Sequence, residues 1–125
     1  MTKEMIHTAA APKAIGCYSQ AIKAGNVVYL SGQIGFEPQT MELVAGMEQQ
    51  TRQMFNNLQQ VVIAAGGNLT QIVKLTIYLT DMNNFAILNQ VMSEFFTAPY
   101  PARAAVGVKE LPKGAIVEAD AILVL

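Results

Sequence analysis

The sequence predicts an α+β fold in which two helices cover one face of a single sheet. Apolar residues recur at helical spacing over residues 47–65 and 84–96. Around these segments, apolar and polar residues alternate as they do in half-buried strands. The resulting order is strands, helix, strand, helix, strands, so both helices must pack on one sheet. No repeat or linker-like stretch interrupts the chain, and we expect residues 1–125 to form one domain.

Five segments carry a strand pattern, and a turn-rich loop over 35–46 separates the second strand from the first helix. The alternation is clearest around Leu75, Ile77 and Leu79. The predicted strands are residues 20–24, 27–34, 71–80, 102–109 and 115–124.

Both predicted helices have recognisable ends. Gly66 and Gly67 are a C-terminal signal for the first helix. Asp81 or Asn83 can cap the start of the second helix, and Pro99 follows its end. The residues expected to point inward are Met47, Met54, Phe55, Leu58, Val61, Val62 and Ala65, then Phe85, Leu88, Val91, Met92, Phe95 and Phe96.

The two-residue period of the strands assigns their side chains to two faces. The face expected under the helices carries Val28, Leu30, Ile34, Leu75, Ile77, Leu79, Ala102, Ala104, Val106, Val108, Val117, Ala119, Ala121 and Leu123. The opposite face carries Tyr29, Ser31, Gln33, Lys74, Thr76, Tyr78, Arg103, Ala105, Gly107, Ile116, Glu118, Asp120 and Ile122. This second face is half polar and half apolar, which suits a subunit interface that contains a site.

The composition favours a homo-oligomer. Charged residues make up 14% of the chain, against about 25% in a typical soluble domain, and hydrophobic residues make up 52%. Such a chain exposes apolar surface or buries it against a partner. The alternative is a chain that is merely rich in Ala and Gln.

Several classes of site are excluded or disfavoured by the residue counts. One Cys and one His allow no internal disulfide and no structural zinc site. A net charge of −1 disfavours nucleic acid as a partner, because phosphate neutralisation drives that binding. No apolar run approaches a membrane span, and the first residues lack the apolar region of a signal peptide, so we expect a cytoplasmic protein.

Arg103 and Glu118 are the strongest candidates for chemistry. The guanidinium of Arg103 has a planar set of donors that suits a carboxylate or phosphate. Glu118 has apolar neighbours on its strand, and partial desolvation would raise its pKa, so that it could orient a water or transfer a proton. The alternative is that the two residues form a structural cross-strand ion pair.

Weaker signals come from the N-terminal third of the chain. Tyr18 can cover a pocket and donate a hydrogen bond, although a surface position is the alternative. Gly32, after Ser31, marks either the close approach of a backbone or ligand or a bulge in the strand. A dyad of His7 and Cys17 is disfavoured, because nothing orients the imidazole.

Four motifs together resemble the RidA/YjgF family over essentially the whole chain. They are PKAIGCYSQA at 12–21, SGQI at 31–34, YPARAAV at 100–106 and LPKGAIVE at 111–118. The resemblance implies a chorismate-mutase-like α+β fold with a six-stranded, mostly antiparallel sheet and two helices on one face. It also implies a homotrimer with three sites between subunits, and no cofactor or metal.

The activity implied by the resemblance is hydrolysis of 2-imino acids and their enamine tautomers to 2-oxo acids and ammonia. Arg103 would bind the substrate carboxylate, and Glu118 would hold and activate the attacking water. Tyr18 is expected from the neighbouring subunit. The further positions carried over by motif, which line the pocket or contact the ligand, are Tyr18, Ser31, Gly32, Asn89 and Ala105.

Two positions depart from the family pattern. Many members have Cys where this chain has Ala105, and most have Pro where it has Cys17, which loosens the loop that carries Tyr18. Two other functions stay open. One is non-catalytic binding or sensing of small 2-oxo acids, and the other, disfavoured by the charge and the single His, is RNA cleavage or inhibition of translation.

Overall fold

The computed structural model describes residues 2–125 as one mixed sheet with two helices. The helices are α1 (Met47–Ala64) and α2 (Phe85–Phe95). The strands are β1 (Lys3–Ile6), β2 (Ala21–Ala24), β3 (Val27–Gln33), β4 (Phe36–Glu37), β5 (Glu42–Leu43), β6 (Ile72–Leu79), β7 (Ala102–Gly107) and β8 (Val117–Val124). The predicted α+β class and the two helices are confirmed.

The main sheet has the order β1-β2-β3-β8-β6-β7. All neighbouring strands are antiparallel except β6 and β7, which are parallel because α2 carries the chain back across the sheet between them. Strands β4 and β5 form a separate two-stranded hairpin within the segment predicted to be a loop.

The core lies between the sheet and the two helices. Phe55 of α1 is fully buried and packs against Phe95 of α2, with ring centroids 5.4 Å apart. Leu75, Ile77 and Leu79 of β6 are fully buried beneath them, as their alternation predicted. Gly66, at φ 92°, ends α1, and the amide of Gly67 donates to the carbonyl of Val62.

Strand β3 contains a bulge that changes the face of its last residues. Its pairing with β8 shifts register between Leu30 and Gln33. Gln33 is therefore buried, and Ile34 is only partly so, which reverses the prediction for both residues. A bulge adds one residue to one strand and so inverts the alternation beyond it.

The faces predicted for β7 were also wrong. Ala105 of β7 lies beside Ile77 in the parallel register and packs against the core, so Arg103 and Gly107 share the helix side with it. The residues expected in the core, which the structure leaves partly or fully exposed, are Ala102, Ala104, Val106 and Val108.

Strand β1 was not predicted. It has four residues, three of them exposed, so it offers almost no apolar alternation. Among residues 2–125, no helix is long and apolar enough to cross a membrane.

Candidate functional site

Two cavities contain candidate residues, and the larger one, which we call the Glu118 pocket, surrounds Glu118. It has a volume of about 630 Å³ and lies where β3 and β8 meet the β4–β5 hairpin and the loop before β2. Its lining residues are Pro12, Lys13, Ile15, Tyr18, Ser31, Gly32, Gln33, Ile34, Phe36, Met41, Pro112, Lys113 and Glu118.

The carboxylate of Glu118 lies directly over the backbone of Gly32. A Cβ atom placed on Gly32 would collide with Oε2 of Glu118. Gly32 also lies within the register shift of β3, so the interpretation as a bulge is confirmed. The close approach here involves a side chain of the same chain.

Glu118 is half-buried on the sheet face opposite the helices. Desolvation raises the pKa of its carboxyl above the ordinary value, and the nearby negative charge of Asp120 raises it further. Tyr78, which lies opposite Glu118 on β6, donates a 2.9 Å hydrogen bond to Oδ2 of Asp120. That hydrogen bond, followed by burial, raises the pKa of the Tyr78 phenol.

The loop before β2 brings Tyr18 to the same pocket, which Ser31 of β3 also lines. Ser31 Oγ donates a 2.6 Å hydrogen bond to the carbonyl of Ser19. This bond ties Ser19, the residue that follows Tyr18, to β3. Gln20 is buried, and its amide bonds both backbone groups of Thr8 and the carbonyl of Pro12. Tyr18 itself is 54% exposed, and its hydroxyl accepts a bond from the amide of Ile15 at 3.3 Å.

Buried amide side chains of α1 hold the backbone segments that form another wall of the Glu118 pocket. Asn57 Nδ2 donates to the carbonyls of Ile34 and Phe36 at 3.0 and 2.9 Å. Gln50 Oε1 accepts from the amide of Ile116, two residues before Glu118. The pocket walls are thus attached to a core helix, which limits their freedom to move.

Arg103 lies in a second, smaller cavity of about 480 Å³, which we call the Arg103 pocket. Its Nη1 donates to Oδ1 of Asn89 at 2.7 Å and lies 3.4 Å from the sulfur of Met92. The guanidinium carbon lies 5.1 Å from the ring centroid of Phe85. The lining residues are Asn89, Met92, Ser93, Tyr100, Pro101 and Arg103.

Arg103 and Glu118 do not form the cross-strand ion pair considered above. Arg103 contacts α2 on the helix side of β7, whereas Glu118 lies on the other side of the sheet. Within residues 2–125, both ion pairs of the side chains involve Arg52, with Glu48 and Glu94. The guanidinium of Arg103 therefore has a neutral amide as its partner and keeps donors for an external anion.

The structure thus divides the candidate residues between two places. Tyr18, Ser31, Gly32 and Glu118 share the Glu118 pocket. Arg103 and Asn89 share the Arg103 pocket, and Ala105 lines neither cavity. Within the described part of the chain, no cluster of His, Cys, Asp or Glu could hold a metal ion.

Several lining residues were missed by the sequence analysis, including Phe36, Met41, Lys113 and Tyr100. Phe36 and Met41 lie in the hairpin that was predicted as a loop. The apolar residues Phe36 and Leu43, which flank a polar turn, were the available signal for this hairpin.

Comparison with known proteins finds the same family along the whole chain. A family model described as Endoribonuclease L-PSP matches residues 8–125. A Dermatophagoides farinae protein named 2-iminobutanoate/2-iminopropanoate deaminase is 48% identical over 98% of this chain and 97% of its own length. The human protein of the same name is 39% identical over 99% of this chain and 91% of its own length.

Solved structures agree in fold. RidA from an Antarctic Psychrobacter has a TM-score of 0.96 at 51% identity, over 98% of this chain and 99% of that one. Escherichia coli TdcF with bound serine has a TM-score of 0.94 at 42% identity, over 98% of each chain. The resemblance inferred from the four motifs is confirmed, and this chain belongs to the RidA/YjgF family, whose family model is described as Endoribonuclease L-PSP.

Proposed function

We propose that this protein hydrolyses 2-imino acids, such as 2-iminobutanoate and 2-iminopropanoate, to 2-oxo acids and ammonia. The observation that carries the proposal is a half-buried carboxylate with a raised pKa, Glu118, in a chain that also offers Arg103 without an acidic partner. The names of the relatives support this reaction. The same chemistry needs no cofactor and no metal.

Each step of the reaction uses a group that the chain provides. Arg103 binds the substrate carboxylate with its free donors. The iminium carbon is already electrophilic, so positioning a water against it supplies much of the rate gain. Glu118 takes a proton from that water as its oxygen bonds to the carbon, and then returns the proton to the nitrogen. As the C–N bond of the tetrahedral intermediate breaks, ammonia leaves and the hydroxyl group gives its proton to Glu118, which forms the carbonyl of the 2-oxo acid; Glu118 then releases this proton to solvent.

We propose that the complete site forms between subunits of a homotrimer. One chain holds Arg103 and Glu118 in separate pockets on opposite sides of the sheet, so a second copy must bring Arg103 to Glu118. The exposed apolar side chains of Tyr29 and Val106 support an interface on the sheet face opposite the helices. The family resemblance is the basis for proposing three subunits. The free, exposed thiol of Cys17 suits the reducing cytoplasm in which we place the protein.

A coupled assay tests the reaction. Threonine dehydratase generates 2-iminobutanoate while semicarbazide competes for the free imine, and formation of 2-oxobutanoate is followed. We expect the protein to accelerate this step and Arg103→Ala to abolish the acceleration. Arg52→Ala is the matched control, because Arg52 lies on α1 in an ion pair with Glu94 and should be dispensable. Absence of acceleration by the unmodified protein would overturn the proposal.

Binding without turnover is the second candidate, and the structure of TdcF with bound serine favours it. In that case calorimetry would detect binding of a 2-oxo acid that requires Arg103, while the coupled assay would show no acceleration. A net charge of −1 supports neither RNA cleavage nor inhibition of translation.

A further inference from the structure

Two strained backbone positions lie in the Glu118 pocket. Within residues 2–125, the residues other than glycine that adopt a positive φ are Met41, at 57°, and Lys113, at 60°. Both line this pocket. Side chains with a Cβ atom rarely adopt this conformation, and such strain is concentrated at functional sites.

Of the two residues, Met41 is the one whose side chain occupies the pocket. It lies in the turn of the β4–β5 hairpin, where its amide donates a 2.8 Å bond to the carbonyl of Glu37. Glycine would adopt this turn without strain, so the folding of the hairpin does not require methionine. Met41 is nevertheless partly buried, whereas Lys113 is exposed. Its thioether therefore occupies space in the pocket that a glycine would leave open.

The hairpin holds Met41 in place. Asn57 donates hydrogen bonds to the carbonyls of Ile34 and Phe36, at the start of the hairpin, from the buried side of α1. The amide of Val44 bonds the carbonyl of Gly35 at 3.0 Å and closes the other end. Met41 is thus a flexible, polarisable side chain on a fixed backbone, a combination that adapts to apolar ligands of varied shape.

The surroundings of Met41 indicate what it would contact. Ile15, Ile34 and Phe36 line the same pocket, so part of its wall is apolar. This wall can bury a longer apolar substituent on the carbon that Glu118 attacks through water.

We propose that Met41 is a specificity-determining residue that favours imino acids with extended apolar side chains over 2-iminopropanoate. This inference rests on the proposed deamination and concerns the substrate class of the same site. Truncation of Met41 removes contacts made only by a long side chain, so the rate with the smallest substrate should stay unchanged.

The test compares two imino acids formed in place by an amino acid oxidase, one from leucine and one from alanine, with catalase present to remove peroxide. Trapping by semicarbazide gives kcat/KM for each. For Met41→Gly we expect kcat/KM with the leucine-derived imine to fall about tenfold, with little change for the alanine-derived imine. Met41→Asn, which tolerates the positive φ but is polar, should behave in the same way, and Met41→Leu should retain the preference.

Ile63→Ala is the matched control, because it truncates an exposed apolar side chain on α1, outside both pockets and away from the sheet face proposed as the interface. Two results would overturn the inference: an unchanged ratio of the two kcat/KM values in Met41→Gly, which includes an equal loss with both substrates, or dissociation of the oligomer on light scattering. The first result requires turnover by the unmodified protein, so it differs from failure of the proposed deamination, in which neither imine is hydrolysed faster.

Discussion

Glu118 combines two influences that favour its protonated form, burial and the negative charge of Asp120 two residues along β8. Tyr78 of β6 donates a hydrogen bond to the Asp120 carboxylate. A general base must be ionised to accept a proton, so this neighbourhood determines the pH range in which Glu118 can act.

The pH dependence of activity should therefore depend on Asp120. The rate should fall as the pH drops through the raised pKa of Glu118, at a pH above the ordinary carboxyl value of 4.5. Asp120→Asn removes the like charge, lowers the pKa of Glu118 and should shift this acid limb of kcat/KM to lower pH. Tyr78→Phe retains both carboxylates and should leave the limb near its original position. An acid limb that Asp120→Asn does not move would contradict this assignment.

The same pKa shift predicts the sign of a stability change. Because the folded state favours protonated Glu118, ionisation opposes folding, and stability is lost as pH rises from the ordinary carboxyl value through the folded-state pKa. Thermal unfolding should therefore show Glu118→Gln gaining stability relative to the unmodified protein over that pH window. Equal melting temperatures at all pH values would argue against a desolvated carboxylate.

The raised pKa of Glu118 could be anticipated from its apolar neighbours along the strand, but its relation to Arg103 could not. Alternation along a strand predicts which residues share a face only when apolar and polar positions differ clearly. Strand β7, with the sequence ARAAVG, has small residues on both faces and a single charge. Its orientation is instead determined by parallel pairing with β6 and by the packing of Arg103 on α2.

At the scale of elements, the regular helices and the central strands were predicted well, because their apolar periodicity matches their burial. The predicted ends of α1, at 47 and 65, lie within one residue of the observed helix. The β4–β5 hairpin was missed, since each of its strands has two residues, too few to show alternation. That hairpin carries two residues of the Glu118 pocket, so the missed element is also a functional one.

Asn57 links this hairpin to the core, and its replacement tests how rigid the pocket wall must be. Asn57→Ala leaves the carbonyls of Ile34 and Phe36 without their side-chain donor, which should cost about 1 to 3 kcal/mol of unfolding free energy. The looser hairpin should raise KM more than it lowers kcat. Asn56→Ala, at an exposed neighbouring position on α1, is the control for both denaturation and kinetics. A loss of stability with an unchanged KM would show that the hydrogen bonds of Asn57 contribute to folding alone.

At the scale of the whole molecule, the separation of the two pockets is the main constraint on function. Arg103 and Glu118 lie on opposite sides of one sheet, and each is held by contacts within its own side of the fold. A change of side-chain rotamer cannot carry a side chain through a sheet. Either one pocket acts alone, or an oligomer combines Arg103 of one subunit with Glu118 of another.

Mixing two inactive variants distinguishes these arrangements. Arg103→Ala and Glu118→Gln should each lack deaminase activity. When equal amounts are unfolded together and refolded, a site shared between subunits is intact wherever Arg103 from one variant meets Glu118 from the other. Random assembly of a closed ring makes about one quarter of the sites intact, so about one quarter of the original activity should return. Refolding each variant alone is the control and should restore none. If both residues acted within one subunit, every site would carry a defect and the mixture would stay inactive, which would refute the shared site.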